Sequence, residues 1–593
     1  MVLNSSGLKT FRNRLYVLLP LVAAGIPPFL IAATVVRYGV NVPYWDQWEL
    51  VKLLDKAATG QLGFTDFWEQ HNEHRLVLPR AVMLALARAT DWDIQYELAA
   101  NVVVALGVFG MLALLIERTV RSVAPGLTPW LILAASLSTF SLTQWENWLW
   151  GWQLQVFMNT LAAVVAVWAL ACWGARWPGL VLTLLAAIAG VFSFAIGFVL
   201  LALIPLGLLI APQFDQGASH LKRLALAVTV GAGVVTLYLN GFHLNPDHPT
   251  PLFLFSHPLS YAHYVLIYMG SGLGAWSKLV SASWGAMGIV TFAWCGAWLW
   301  MRSRAYRHIL LPWILLGLYG ILSGFMTGIG RAGFGEGQAL APRYITVSSL
   351  FWVSLAVIVA LGIAHLLHDA TVSRGRALIV VAVTAFLITL AGVSYGVSWI
   401  HAKAALESRS GALLRSGECL LYYDEAPDEC LHVLYPDVPI LRERAHRLEL
   451  LAVGPFARRK LERPLSLYAL VKGPEPAGYI DEVAAHEGQV NQTRRSGDVV
   501  VSGWAMDPFS RGPAASVLVV VGDQVMGRAA TGQQRADVAK ALGQNGLLHS
   551  GWTLRLGLSR LVPGPHLVEA YALLNDERRI VKLVGSRVIE VRE

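Results

Sequence analysis

Apolar residues in this chain fall in long unbroken runs, with neither strand-like alternation nor a narrow helical stripe. The first run extends from Leu15 to Val36. Others lie near 94–117, 128–143, 155–173, 179–193, 195–211, 224–240, 284–301, 308–327, 344–366 and 377–399. A run of about 18–20 apolar residues can cross the ~30 Å hydrocarbon layer as a helix, which satisfies its backbone polar groups internally. The pattern predicts about eleven spans, several of them short. The first follows Lys9, Arg12 and Arg14, exceeds a signal-peptide core in length and lacks a small-x-small cleavage site. It reads as a retained anchor with its N-terminus in the cytoplasm. Arg118 with Arg121, Arg176, Lys222 with Arg223, Arg302 with Arg304, and Arg374 with Arg376 then all mark cytoplasmic loops. That assignment requires the aromatic stretch 253–283 to lie at the outer interface or re-enter, because a single crossing there would invert every later loop. The C-terminus lies outside.

Beyond Trp399 the pattern changes. Residues 401–470 have helical spacing, and a Gly/Pro linker at 473–478 leads into short strand signals. Val499–Trp504, Ser516–Val521, Trp552–Leu556, Leu567–Leu573 and Ile580–Val584 read as strands between turns. The expected organisation is a transmembrane domain over 1–400 with a long first outer loop at 38–93, a helical connector over 401–472, and an extracytoplasmic β-sandwich over 478–593.

Composition supports the membrane reading. Only 14% of the 593 residues are Asp, Glu, Lys or Arg, against about 25% in soluble domains. So few charges cannot cover a soluble enzyme of this length, and 55% hydrophobic residues exclude intrinsic disorder. The 22 Trp, 18 Tyr and 21 Phe suit two membrane interfaces. The net charge of +8 reflects basic loops. No Lys/Arg run with interleaved aromatics appears, so nucleic acid is not an expected partner. Cys172 and Cys295 fall in spans. Cys419 and Cys430 fall in the outer domain, where an oxidising compartment permits a disulfide; the alternative is two free thiols.

The polar residues of the membrane half collect on the predicted outer side. The first outer loop holds Tyr44, Trp45, Asp46, Gln47, Trp48 and Glu49, then Glu69, His71, Glu73, His74 and Arg75. The second holds Trp145, Glu146, Asn147, Trp148 and Gln153. A third holds Asn240, His243, Asp247 and His248, and a glycine-rich fourth runs from Arg331 past Glu336 to Arg343 and Tyr344. Ionisable residues at a membrane boundary are costly unless paired or hydrated. Carboxylates among tryptophans suit a sugar, whose C–H face packs on indole while its hydroxyls donate to acids. Two arginines flanking a glycine-rich loop suit a phosphate. Each feature has a plainer alternative: an interfacial aromatic belt, a helix cap at Asp46, or arginines that close ion pairs with Glu336. His71 and His74 with Glu69 and Glu73 offer metal-ligand types, but no His-Glu-x-x-His or Cys-x-x-Cys pattern is present, so no cofactor is indicated. No Walker A loop or Gly-x-Ser-x-Gly elbow occurs.

A carboxylate just beyond the first span, a long first outer loop and many short spans together resemble the GT-C superfamily of integral-membrane glycosyltransferases. The resemblance covers roughly residues 1–400 and rests on topology and on Asp46 within Tyr44-Trp45-Asp46-Gln47-Trp48. It implies a polyprenyl-phosphate-linked sugar as donor, a glycan or lipid acceptor, and chemistry on the extracytoplasmic face of a bacterial-type inner membrane. Asp46 matches the family's first-loop catalytic acid, and Arg343-Tyr344 is similar to a late-loop phosphate contact. The first loop would carry amphipathic helices lying on the membrane near 48–58 and 76–90. Gln47 follows Asp46 where metal-dependent members carry a second acid, so those members are poorer guides. The expected reaction is an inverting transfer with Asp46, or failing that Glu146, as general base. Glu49, His71, Glu73, His74, Arg75, Trp145, Asn147, Trp148, Gln153, Arg331, Arg343 and Tyr344 line the expected substrate site. The rival readings are a polymerase or ligase of lipid-linked glycans and a lipid-linked sugar flippase.

Overall fold

The structure, a computed structural model, describes residues 16–174, 176–210, 218–246, 248–302, 304–368, 373–421, 423, 426–451, 453–457, 465–485, 492–494, 498–522, 524–557, 561–576 and 578–592. Lys9, Arg12, Arg14 and Asp247 lie outside the described residues. The chain divides into two compact units. The first comprises Met1–Gly39, Thr59–Thr90 and Ile94–Ser410; the second comprises Val40–Ala58, Asp91–Asp93 and Gly411–Glu593. The first outer loop therefore contributes to both units, an arrangement that its sequence did not signal.

The first unit is helical. Among the described residues, eight helices of the chain are long and apolar enough to cross a membrane: Tyr16–Tyr38, Ile94–Val120, Gly151–Trp173, Ser219–Leu239, Lys278–Arg302, Tyr306–Phe334, Pro342–His368 and Arg374–Leu420. The protein is a multi-pass membrane protein. Three of the eleven expected spans form shorter helices, Thr128–Thr139, Trp177–Val191 and Phe198–Ile210. At 1.5 Å per residue each is about 18–22 Å long, short of the full hydrocarbon thickness. The last long helix has 47 residues and continues through the expected end of the membrane domain, because 400–420 is rich in the strong helix formers Ala and Leu and holds no Pro. Its residues Leu378, Ile379, Phe386 and Ile388 are exposed, as suits contact with acyl chains.

Several interior polar groups of the bundle are paired. The Trp313 indole N–H donates to Thr119 Oγ1 at 3.0 Å. Asn159 Nδ2 donates to the Gly190 carbonyl at 3.0 Å, and its Oδ1 accepts from the Tyr319 hydroxyl at 2.5 Å. The 253–283 stretch forms a helix, Pro258–Gly274, folded tightly against Lys278–Arg302. A Cβ on Gly270 would strike the Ser281 carbonyl oxygen, and one on Gly285 would strike that of Leu266. Residues of this helix, and the start of the next one, contact the end of the long span Arg304–Arg331 and the segment that follows it. The Tyr261 hydroxyl donates to the Phe325 carbonyl at 2.5 Å, His263 pairs with Glu336 at 2.9 Å, and Lys278 lies near Gly337.

Helix Val77–Thr90 buries Met83, Leu84 and Ala87 and packs on Ile94–Val120 and Leu154–Trp173. That face is covered by protein, while Leu78, Ala81, Val82, Ala85 and Ala89 form a second, exposed apolar face. In the second unit, helix Leu50–Ala58 buries Leu50, Val51, Leu53 and Leu54 and packs on helix Val438–Leu451. Also in the second unit, Cys419 and Cys430 are joined by a disulfide.

Two sheets form the C-terminal strand-rich region. In one, Asp498–Asp507 lies between Gly478–Ala485 and Gly551–Gly557, antiparallel to both. In the other, Gly564–Leu573 pairs with Ser516–Val521 on one side and with Arg579–Lys582 and Arg587–Arg592 on the other. Val499, Val501, Trp552 and Leu554 of the first sheet share one apolar cluster with Val517, Val519, Ala570 and Ala572 of the second. All five strands expected from sequence form; Gly478–Ala485, Gln524–Ala530 and Arg587–Arg592 were not expected.

Candidate functional site

Two carboxylate–arginine clusters form at the loop-bearing end of the first unit. In the first, Glu73 sits in the two-residue turn of a tight hairpin that pairs Gln70–His71 with His74–Arg75. Asn72 sits in it at φ +49°, a conformation Asn tolerates better than most residues. Arg331, at the end of a long span, donates from Nη2 to Glu73 Oε1 at 2.7 Å. His248 Nδ1 lies 3.2 Å from Glu73 Oε2, and Arg331 Nη1 lies 2.9–3.1 Å from the His248 ring nitrogens. Burial pushes the Glu73 carboxyl up, but His74, Arg331 and His248 together outweigh it and hold the group below the usual carboxylate range. Arg331 therefore pairs with Glu73, while Glu336, its partner in the plainer alternative, pairs with His263.

The hairpin is anchored through Arg75. Its Nε donates to the Tyr238 carbonyl at 2.8 Å, Nη1 to that of Trp68 at 2.8 Å, and Nη2 to that of Asn240 at 2.7 Å. Its guanidinium stacks 5.0 Å from the Trp68 ring centroid and 5.7 Å from that of Tyr238. The structure thus gives this predicted substrate contact a scaffolding position, holding the 240 loop against the 70s hairpin. Gln70 reinforces that join: its Nε2 donates to the His243 carbonyl at 2.6 Å and its Oε1 accepts from the His243 amide at 3.0 Å. His74 is buried, with its ring centroid 4.2 Å from that of Phe194 and its Nδ1 accepting from the Ala195 amide at 3.3 Å. His71 meets Trp152 edge-on at 5.2 Å.

The second cluster joins the 140s loop to the late loop. Arg343 Nη1 lies 3.2 and 3.3 Å from the two oxygens of Glu146. Asn147 Nδ2 donates to the Arg343 carbonyl at 3.1 Å and to Thr346 Oγ1 at 2.6 Å, and the Thr346 hydroxyl donates to Gln144. Asn101, from a neighbouring span, donates to the carbonyls of Asn147 and Trp150 at 3.0 and 3.1 Å. The Arg343 guanidinium also sits 5.3 Å from the Tyr344 ring centroid, and Tyr344 packs on Tyr268 at 5.5 Å. Asn147 is thus a positioning group for Arg343. Trp148 is fully buried, stacks on Phe157 at 4.9 Å and donates from its indole to the Ser141 carbonyl at 2.9 Å, which makes it a core residue. Gln153 is buried as well. Trp145 is half-buried with Arg409 5.7 Å from its ring centroid.

In the second unit, Trp45–Glu49 forms a 3₁₀ turn carrying Asp46, which is half-exposed. Both ends of the turn are tied to the segment before helix Val438–Leu451 and to that helix. The Trp45 amide donates to the Leu434 carbonyl at 2.7 Å. Glu49 Oε1 accepts from the Tyr435 hydroxyl at 3.0 Å and from Arg444 Nη1 at 2.8 Å, and Lys52 lies 3.5 Å from Oε2. Glu49, a predicted substrate contact, thereby fixes the turn beside Asp46. Sequence gave no route to Tyr435 or Arg444, which lie nearly four hundred positions away. His248, by contrast, stood in a recognised polar loop. Among the described residues, no three His, Cys, Asp or Glu side chains converge as a metal site.

The acid sensitivity of the first cluster follows from Glu73. Its carboxyl titrates below the unfolded value of about 4.3, so its contribution to stability is complete above that pH and is lost as pH falls through the depressed value. The melting temperature of Glu73→Gln should therefore fall less between pH 5 and 3 than that of the wild type. Parallel curves would contradict the coupling.

No protein-family profile and no curated protein matches this chain. Among solved structures it is similar to that of ArnT from Cupriavidus metallidurans bound to undecaprenyl phosphate, at 16% identity and a TM-score of 0.33, over 77% of this chain and 82% of that one. At that score the backbone correspondence is loose, and the chemistry rests on the side chains themselves.

Proposed function

We propose that this protein is a membrane glycosyltransferase of GT-C type that moves a sugar from a polyprenyl-phosphate carrier to a hydroxyl of a cell-envelope glycan or lipid. The observation that carries the reading is the pair of carboxylate–arginine clusters, Glu73–His248–Arg331 and Glu146–Arg343, at the loop-bearing end of an apolar helical bundle. The acceptor hydroxyl gives its proton to Asp46 as its oxygen attacks the anomeric carbon. The bond from that carbon to the phosphate oxygen breaks, with inversion, and the phosphate leaves with an added negative charge. Arg331 and Arg343 offset that charge, while Glu73 and Glu146 hold the two guanidinium groups in place. In this reading Glu146 orients Arg343, and Asp46 is the base.

The reaction occurs at the extracytoplasmic face of the inner membrane, and the strand-rich region faces the same compartment. The transport alternative lacks charged residues along the middles of several spans. Purified protein in liposomes, given a radiolabelled polyprenyl-phosphate sugar and a membrane-glycan extract, should yield labelled glycan. Label that crosses the bilayer still attached to its lipid would establish translocation instead.

A further inference from the structure

Trp45 adopts φ +48°, in the left-handed region that a bulky L-residue occupies at an energetic cost. Glycine would fit that conformation without strain. The Trp45 side chain does not repay the cost by filling a core, because it is 44% exposed. The other tryptophans of the first two polar loops behave differently. Trp48, Trp92, Trp148, Trp150 and Trp152 are buried, and Trp68 and Trp145 are half-buried. The geometry is firmly held. The Trp45 amide bonds to the Leu434 carbonyl at 2.7 Å, the Gln47 amide donates to the Tyr44 carbonyl at 3.1 Å, and Gln47 Oε1 accepts from the Tyr44 amide at 3.2 Å. The Tyr44 ring lies 5.9 Å from that of Trp45. A strained backbone that displays a large aromatic beside a candidate catalytic acid points to function, since neither packing nor local propensity accounts for it.

We infer that the exposed indole of Trp45 is a platform for the sugar ring of the substrate, set beside Asp46. The inference rests on the transferase reading and deepens it. An indole face packs against the C–H face of a pyranose or furanose while the adjacent carboxylate accepts from a hydroxyl, so a single turn supplies both kinds of sugar contact. Loss of such a ring contact lowers affinity by about tenfold, the scale of stacking on an aromatic side chain.

The test uses the full-length protein in nanodiscs and two sets of probes: undecaprenyl phosphate, and undecaprenyl phosphate carrying a pentose, a hexose or an aminohexose. Wild type should bind at least one sugar-bearing lipid more tightly than the bare lipid phosphate. Trp45→Gly should weaken that lipid about tenfold, leave the bare lipid phosphate unchanged, and keep or raise the melting temperature. Trp45→Phe should recover most of the affinity. The sugar-platform role fails if Trp45→Gly leaves the preference intact, if wild type shows no preference, or if Trp45→Gly lowers the melting temperature and both affinities together. Wild type that binds neither class of lipid would overturn the transferase reading itself, an outcome distinct from the other three.

Discussion

Replacing Asp46 by Asn should lower the rate of sugar transfer by about 10²–10⁴-fold, while expression, melting temperature and affinity for the lipid-linked donor stay at wild-type values. The substitution keeps size and shape and removes the capacity to take a proton, so the loss should appear in kcat. Single-turnover measurement with saturating donor separates that loss from a binding defect. The neighbouring carboxylate supplies the contrast. Glu49 accepts from Tyr435 and Arg444, so Glu49→Gln weakens the tie that holds the turn and should lower the melting temperature as well as the rate. Wild-type product levels from Asp46→Asn would remove Asp46 from the reaction and leave Glu146 as the carboxylate to examine.

The second large effect is expected at Arg343. Arg343→Ala should reduce kcat by about 10²–10³-fold, the scale for losing one group aimed at charge that develops in the transition state. Arg343 also pairs with Glu146, so the single variant alone does not separate catalysis from structure. A double variant does. If the pair served only to hold two loops together, removing both charges in Arg343→Ala/Glu146→Gln would relieve the unpaired carboxylate and restore much of the activity. If Arg343 offsets charge on the leaving phosphate, the double variant stays as slow as the single one. Restored activity in the double variant would therefore refute the catalytic role.

The clusters explain which parts of the site were legible beforehand. Scarcity drew attention to Asp46, Glu73, Glu146, Arg331 and Arg343, because charges at the edge of an apolar bundle need partners or water. Residue type could not reveal which arginine met which acid. Glu336 stands five residues after Arg331 and was the natural partner by proximity, yet His263 takes it, and Glu73 reaches Arg331 from another loop. Trp148 and Arg75 show the same limit. Both residue types bind ligands, and here one stacks in the core while the other is spent on backbone carbonyls.

The amphipathic helices of the first loop carry the point further. Their apolar stripes were visible in the sequence, but a stripe does not say what covers it. Protein covers Leu50, Leu53 and Leu54 of one helix and Met83, Leu84 and Ala87 of the other, while Leu78 and Val82 stay exposed on a second face.

By itself the sequence determined the multi-pass character of this protein, the strand-rich nature of its C-terminal region, and the confinement of its polar chemistry to a few loops. These follow from the cost of placing charge or unpaired backbone in hydrocarbon, a cost set residue by residue along the chain. Only the tertiary structure decided the pairings of Glu73, Glu146 and Glu49, the division of the first loop between two units, and the left-handed backbone of Trp45. Those depend on contacts between residues hundreds of positions apart, whose energies no local pattern encodes.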